Sequence, residues 1–501
     1  MKRAFILSVG LILVLAFSGC KGKSDAGLRF DMEKWLAQAD ELKQKMSEKD
    51  QPLTSAEYDS LFAAYGKVAK AAKAPADSIQ IARASAEKRQ AWTIAALAQT
   101  RIGLLHLEKR DFAKAYGSFK SVYDNPITTP IQRNAVKSYM AVAKEKARDY
   151  RAAAQLYAEL AREYLPLIVP QNPNMDALGG MIKSAELYRK AGDIASFDSM
   201  LERAREYYGR LEKEYPGTQI ANVAVGKRIA AYLQQDRFKE AIAALEITRI
   251  DSTGELPPQI LLMIGDIQMN NLKEYSQAEL TYRKFLKAYP SDPKSSAAKI
   301  ALALSLYEQS RFAEARNALK DMEGRQTNNP LSMEADYLTA LCYEKEGQWD
   351  KALAKLNFIQ ATYPGSEKGF ESALYIANYY KQKGDPKLSA RAFSQAEEYI
   401  KKYCDPATSN PAVAARAQGY LVRCYLEMGN FQAAAAELKT LHEKFPKTTE
   451  GMFAPLKLAD LYENVLHDEK QAAEWLRIFA EKNPDVDNIE QINAHIAALN
   501  K

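Results

Sequence analysis

An aromatic residue followed three positions later by alanine recurs at a constant step along this chain. Phe238 with Ala241, Tyr275 with Ala278, Phe312 with Ala315 and Trp349 with Ala352 lie 37 residues apart each time. A step of about 20–50 residues marks a stacked architecture, in which each supersecondary unit buries its apolar face only against its neighbours. Phe112 with Ala115, Tyr150 with Ala153 and Phe431 with Ala434 extend the pattern on both sides. Pro290, Pro364 and Pro446 each fall fifteen residues after the aromatic of their unit. Proline cannot continue a helix and restricts the residue before it, so these positions close a second helix. Gly347 and Gly429, two residues before Trp349 and Phe431, relieve the backbone at the tight turn where a first helix stops. The predicted fold class is all-α, a stack of repeated helical units.

These residues resemble the tetratricopeptide family. Ala340, Tyr343, Gly347, Trp349, Ala352, Leu356, Ile359 and Pro364 fall at that motif's small, Tyr, Gly, aromatic, Ala, bulky, apolar and Pro positions. Tyr425, Gly429, Phe431, Ala434, Leu438, Leu441 and Pro446 repeat it. The resemblance implies a right-handed α-solenoid of about ten antiparallel helix pairs. Small residues let two helices approach, and the aromatic fills the groove between neighbouring units. The unit around Phe312 lacks the closing proline, and Pro386 with Ser389 replaces aromatic and alanine in the next. The step is three residues longer than the family's usual 34, which places the extra length between units. Tyr232, Tyr343, Tyr380 and Tyr425 stand at the family's first-helix tyrosine position and read as packing residues. His106 stands at the same place in an earlier unit and reads likewise.

The front of the chain carries an export signal: Lys2 and Arg3, an apolar run from Ala4 to Phe17, then Ser18-Gly19-Cys20. The run is too short for a membrane span. Phe17-Ser18-Gly19-Cys20 resembles the bacterial lipoprotein signal, which implies acylation of Cys20 and an anchor stronger than a single chain provides. Lys21 is not the Asp that signals inner-membrane retention in enterobacterial lipoproteins, so the resemblance implies the periplasmic face of the outer membrane. The expected organisation is a signal peptide over 1–19, a tether over 20–28, an N-terminal sub-array over 29–165, a linker over 166–180 and a C-terminal array over 181–501. The linker is drawn at Pro166, Pro170, Pro173 and Gly179-Gly180. Before residue 90, Phe30–Leu36 and Tyr58–Tyr65 read as amphipathic helices of atypical capping units, with Asp77-Ser78 capping a third. Cys404–Pro411 reads as a lengthened loop between units.

Length allows several globular domains or one long array. A formal net charge of +6 across 501 residues does not argue for nucleic acid. Besides Cys20, only Cys342, Cys404 and Cys424 remain, too few for a disulfide framework. Cys404 and Cys424 are the closer pair for one bridge, and buried free thiols are the reading adopted. His106, His442, His467 and His495 show no metal-ligand spacing. Gly226-Lys227 is not a phosphate loop, because Ala221 and Arg228 stand where a glycine and a hydroxyl residue are needed. No nucleophile elbow, His-Glu-x-x-His or Cys-x-x-Cys occurs. The expectation is no catalysis, no cofactor, no metal and no small-molecule substrate.

The resemblance implies a concave face lined by first helices, suited to extended protein segments. Family positions put Asn270, Asn271, Tyr307, Tyr337, Asn378, Lys381 and Arg423 there, with Met263, Ile267, Ile300, Leu304, Leu341, Leu374 and Leu426 on the face or in the core. Asn378 matches the asparagine of the carboxylate clamp of chaperone-binding relatives, but Leu374 stands where its lysine would be, so a chaperone C-terminus is not expected. From Tyr215 to Pro484 the repeats are similar to those of the lipoprotein of the outer-membrane β-barrel assembly machine and of the Tol-Pal coordinating protein. That likeness implies a non-catalytic, lipid-anchored scaffold for envelope assembly machinery, its membrane contact being acylated Cys20. Two alternatives are a lipoprotein scaffold for polysaccharide export or secretion and a repeat-bearing peptidoglycan enzyme. The enzyme would need a non-repeat domain that the chain does not offer.

Overall fold

In a computed structural model, the structure describes residues 25–48, 51–168, 173–247, 256–323, 329–407, 409–484, 486 and 488–500. The signal peptide, Cys20 and the first residues of the expected tether lie outside them. The described residues form helices and no strand, and none of the helices is long and apolar enough to cross a membrane.

Two compact units meet in sequence at Arg237 and Phe238. The first contains α1 (Asp25–Ser47), α2 (Ser55–Ala71), α3 (Ser78–Arg83), α4 (Ala86–Glu108), α5 (Phe112–Tyr123), α6 (Pro130–Lys146), α7 (Tyr150–Tyr164), α8 (Met175–Lys190), α9 (Ile194–Glu214) and α10 (Gln219–Leu233). The second contains α11 (Phe238–Glu246), α12 (Pro258–Asp266), α13 (Tyr275–Ala288), α14 (Ser295–Glu308), α15 (Phe312–Leu319), α16 (Pro330–Lys345), α17 (Trp349–Thr362) and α18 (Glu367–Gln382). It continues through α19 (Pro386–Lys401), α20 (Pro411–Met428), α21 (Phe431–Lys444), α22 (Thr449–Asn464), α23 (Glu469–Lys482) and α24 (Ile489–Leu499). Within each unit the dominant packing is between helices consecutive in sequence, the one-dimensional stacking of a solenoid.

The periodic aromatics are helix starts. Phe112, Tyr150, Phe238, Tyr275, Phe312, Trp349 and Phe431 are each the first residue of their helix. The alanine three residues on is fully buried in all seven cases, because position i+3 lies one turn inward on the face that meets the first helix. Two residues before each of these starts the backbone is left-handed, at Arg110, Arg148, Asp236, Lys273, Ser310, Gly347 and Gly429. The side chains of Asp111, Asp149 and Asn430 cap the new helix by accepting from the amides of Lys114, Ala152 and Ala433.

The closing prolines act as expected. α13, α17 and α21 stop one residue before Tyr289, Tyr363 and Phe445, each of which precedes its proline. In Tyr363-Pro364-Gly365-Ser366 the Ser366 amide bonds the Tyr363 carbonyl at 3.2 Å, Gly365 has φ 70°, and Ser366 Oγ caps α18 by accepting from Gly369. Four residues therefore end one helix, turn the chain and start the next. In this unit α17 has 14 residues and α18 has 16, with only Tyr363–Ser366 between them. The added length sits in the helices here, not between units.

Differences from expectation cluster at segment edges. α1 begins at Asp25, inside the expected tether, where Asp25 accepts from Ser85 Oγ at 2.9 Å and Leu28 packs on the core around Met32 and Trp92. α8 covers Gly179-Gly180, which read as part of a linker. A Cβ on Gly180 would stand 2.4 Å from the Tyr157 carbonyl of α7. That glycine is a point of close helix approach, a role that composition alone does not separate from flexibility. α1, α2 and α3 form as anticipated, and Asp77 caps α3 by accepting from the Gln80 amide at 2.8 Å. Cys342, Cys404 and Cys424 are free thiols, all pushed up to about 12 by burial.

Candidate functional site

In the second unit the first helices α16, α18 and α20 pack successively on one another. Their shared face holds a cleft of about 310 Å³ lined by Tyr337, Lys368, Glu371, Tyr375, Asn378 and Arg423. Lys368, Glu371, Tyr375 and Asn378 follow the i, i+3, i+7, i+10 stripe of α18. The adjacent stripe of Phe370, Leu374 and Ala377 is fully buried and supplies the rigid floor. The Tyr337 and Tyr375 rings meet edge to face at 6.2 Å. Lys368 Nζ lies 4.5 Å over the Tyr337 ring and bonds Glu334 at 3.0 Å and Glu371 at 2.8 Å.

The polar groups of the cleft are cross-linked. Tyr420 Oη donates to Glu371 at 3.3 Å, Tyr375 Oη donates to Glu344 at 3.4 Å, and Arg423 Nε bonds Glu427 at 2.8 Å. Asn378 Nδ2 donates to the Glu427 carboxylate and Lys381 to its backbone carbonyl. Burial raises the Tyr337 and Tyr375 phenols above their ordinary range, so both remain hydroxyl donors at any physiological pH. Burial opposes the charge on Lys368, yet its hydrogen bonds with Glu371 and Glu334 outweigh that and raise its pKa. The cleft thus offers ring faces, phenolic donors, an amide and a held pair of opposite charges, the chemistry that suits a polypeptide backbone with alternating side chains.

Of the seven residues singled out from the sequence, Tyr337, Asn378 and Arg423 line this cleft. Lys381 is tied to the same Glu427. Tyr307 instead packs edge to face on Phe312 at 5.3 Å, its phenol pushed up to about 12 by burial. Asn270 and Asn271 lie elsewhere, exposed at the end of a π-helical turn, Ile267–Asn271, that continues α12. Ile267, Ile300 and Leu374 are core. Lys368, Glu371 and Tyr375 were missed because the face was drawn one residue out of register, through Leu374. The signal was present as a polar and aromatic stripe beside a purely apolar one.

The packing tyrosines behave as read. Arg316 lies 4.4 Å over the Tyr343 ring, Arg205 5.0 Å over Tyr232, and Tyr425 Oη donates to Glu397 at 2.8 Å. Trp349 stacks on Tyr379 with ring centroids 3.4 Å apart and donates Nε1–H to Tyr380 at 3.3 Å, bridging α17 to α18. Phe431 does not follow: it is 37% exposed.

The tetratricopeptide repeat family models match residues 227–293, 300–367 and 420–448. The chain carries tetratricopeptide repeats. The cleft falls on α16, inside the second matched stretch, on α18, which begins at the end of that stretch, and on α20, whose C-terminal half opens the third. No curated protein matches the chain. Similar solved structures include yeast Tom70, 12% identical, covering 93% of this chain and 96% of that one with a TM-score of 0.37. A tetratricopeptide repeat protein from Parabacteroides merdae is 16% identical over 57% of this chain and 99% of its own, with a TM-score of 0.31. The structure of Naa15/Naa10 bound to HypK-THB is 16% identical over 95% of this chain, with a TM-score of 0.38, and this chain spans 65% of it.

Proposed function

We propose that the protein is a non-catalytic scaffold, anchored through acylated Cys20 to the periplasmic face of the outer membrane, that holds extended segments of envelope-assembly proteins. The observation that carries the binding role is the cleft formed by Tyr337, Lys368, Glu371, Tyr375, Asn378 and Arg423 across three successive first helices. The anchor rests on the Phe17-Ser18-Gly19-Cys20 box behind a basic and apolar leader.

The test places a photocrosslinking amino acid at Tyr375 in the full chain, with a control at Leu280, which is 61% exposed on α13. Crosslinks from position 375 to β-barrel proteins or their assembly machinery, absent from position 280, are expected. Equal labelling at both positions removes the cleft from the account, and exclusive capture of synthase or secretin-like partners replaces envelope assembly with polysaccharide export. Mass spectrometry of the membrane-extracted protein should find residue 20 acylated as the first residue. An unmodified Cys20 on a freely diffusing chain defeats the anchor.

A further inference from the structure

A second cavity, in the first unit, differs in its charge. It measures about 170 Å³ and is lined by residues of α7, α8 and α9, among them Gln155, Arg162, Met181, Tyr188, Met200 and Arg203. It belongs to a different set of surfaces from the cleft above, since α7 and α9 are second helices. Four acids around it hold basic partners. Glu159, also on its wall, bonds Lys137 at 2.9 Å, Glu163 bonds the same lysine, Asp193 lies 3.3 Å from Arg151, and Glu202 lies 3.9 Å from Arg205. Arg162 and Arg203, both exposed, have no ion-pair or hydrogen-bond partner among the described residues. In the cleft of the second unit, by contrast, Lys368 and Arg423 both hold carboxylates.

Two guanidiniums without internal anions, on helices that flank one cavity, present planar forks suited to bidentate pairing with a carboxylate. The cavity between them is walled by Met181 and Met200, both buried, and by the Tyr188 ring. Thioether side chains adapt to varied apolar shapes, and the Gln155 amide adds a donor and an acceptor. We propose that this cavity is a docking site for an acidic protein segment, in which an apolar side chain enters against Met181, Met200 and Tyr188 while neighbouring Asp or Glu carboxylates pair with Arg162 and Arg203. The site does not depend on the cleft of the second unit or on the anchor.

The experiment measures fluorescence anisotropy of the full chain, solubilised in detergent, with a labelled, terminally blocked peptide of alternating Leu and Glu. The same peptide with Gln in place of Glu is the control. The Glu peptide should bind at least tenfold more tightly than the Gln peptide, and its binding should weaken as salt screens the pairs. The double substitution Arg162→Ala/Arg203→Ala should remove that preference, and Arg391→Ala, at an exposed arginine of α19, should leave it intact. Both arginines are exposed, so helical circular dichroism and the thermal midpoint should stay unchanged and separate lost binding from lost folding. Equal affinity for the two peptides, or a preference that survives the double substitution, overturns the proposal. So does binding of inorganic phosphate or of phosphatidylglycerol vesicles with no binding of the Glu peptide.

Discussion

Two residues before a second helix starts, the backbone takes a left-handed turn that each unit fills differently. Gly347 occupies it with φ 75°, whereas Arg148 and Ser310 occupy it with φ 62° and 61°. A Cβ in that region costs roughly 1–2 kcal/mol against the following carbonyl. Gly347→Ala should therefore destabilise the second unit by about 1 kcal/mol. Ser310→Gly should change stability in the opposite direction by a similar or smaller amount, because the more flexible unfolded chain offsets part of the relief. Urea unfolding midpoints of the two variants, moving apart around the parent, check the sign. His106 is a second site of residue-scale strain. Its ring packs 4.4 Å from Phe62, its Nδ1 is buried without a hydrogen-bond partner, and burial lowers its pKa. A depressed histidine pKa means that the unfolded chain takes up the proton first, so stability falls as pH drops through about 6.5 and levels below the folded value. His106→Phe should flatten thermal stability across that window, and an unchanged pH profile would show that this imidazole does not contribute.

At the scale of elements, α16 and α17 are joined by more than apolar contact. Lys355, on α17, bonds Asp336 at 2.8 Å and Glu323 at 2.7 Å, while Tyr363 donates to the fully buried Asp336 at 2.8 Å. Lys355→Met leaves a buried carboxylate without its cation, which costs about 3–5 kcal/mol. Adding Asp336→Leu removes that carboxylate as well and should restore most of the loss, measurable as a coupling energy in a double-mutant cycle. Burial works against the Lys355 charge, but hydrogen bonds with Asp336 and Glu323 outweigh it and raise the pKa. The corresponding stability is complete below the unfolded lysine value and is lost as pH rises through the higher folded one. Alkaline unfolding of the parent should therefore begin above about pH 10.5, and the double variant should lack this component. Helix starts and stops were legible in the residues themselves: Phe238 through Phe431 mark the starts, and Pro290, Pro364 and Pro446 the stops. The face each helix presents was less legible. On α18, Leu374 and Tyr375 are adjacent and both large, and only packing against α16 and α20 decides which of them is core.

At the scale of the whole molecule, stability in a stacked array is a sum of units and their nearest-neighbour interfaces. Leu374, fully buried within the core that runs from α16 to α22, tests this. Leu374→Ala should cost roughly 2–5 kcal/mol through lost burial and a residual cavity. Hydrogen exchange should accelerate across α16 to α20 and stay unchanged in α6 to α9, whose core is built from Tyr157, Leu160, Leu201 and Tyr208. Uniform acceleration throughout both units would contradict nearest-neighbour stacking. Periodicity alone determined that this chain is helical, paired and repeated, because a constant interval of aromatic, alanine and proline is a local instruction written into each unit. Tertiary structure decided which polar side chains gather at the cleft and which glycines are contact points rather than hinges. It also decided that Arg162 and Arg203 stand without anions. Those outcomes depend on how neighbouring helices are rotated against one another, and that rotation is set by interlocking side chains far apart in sequence.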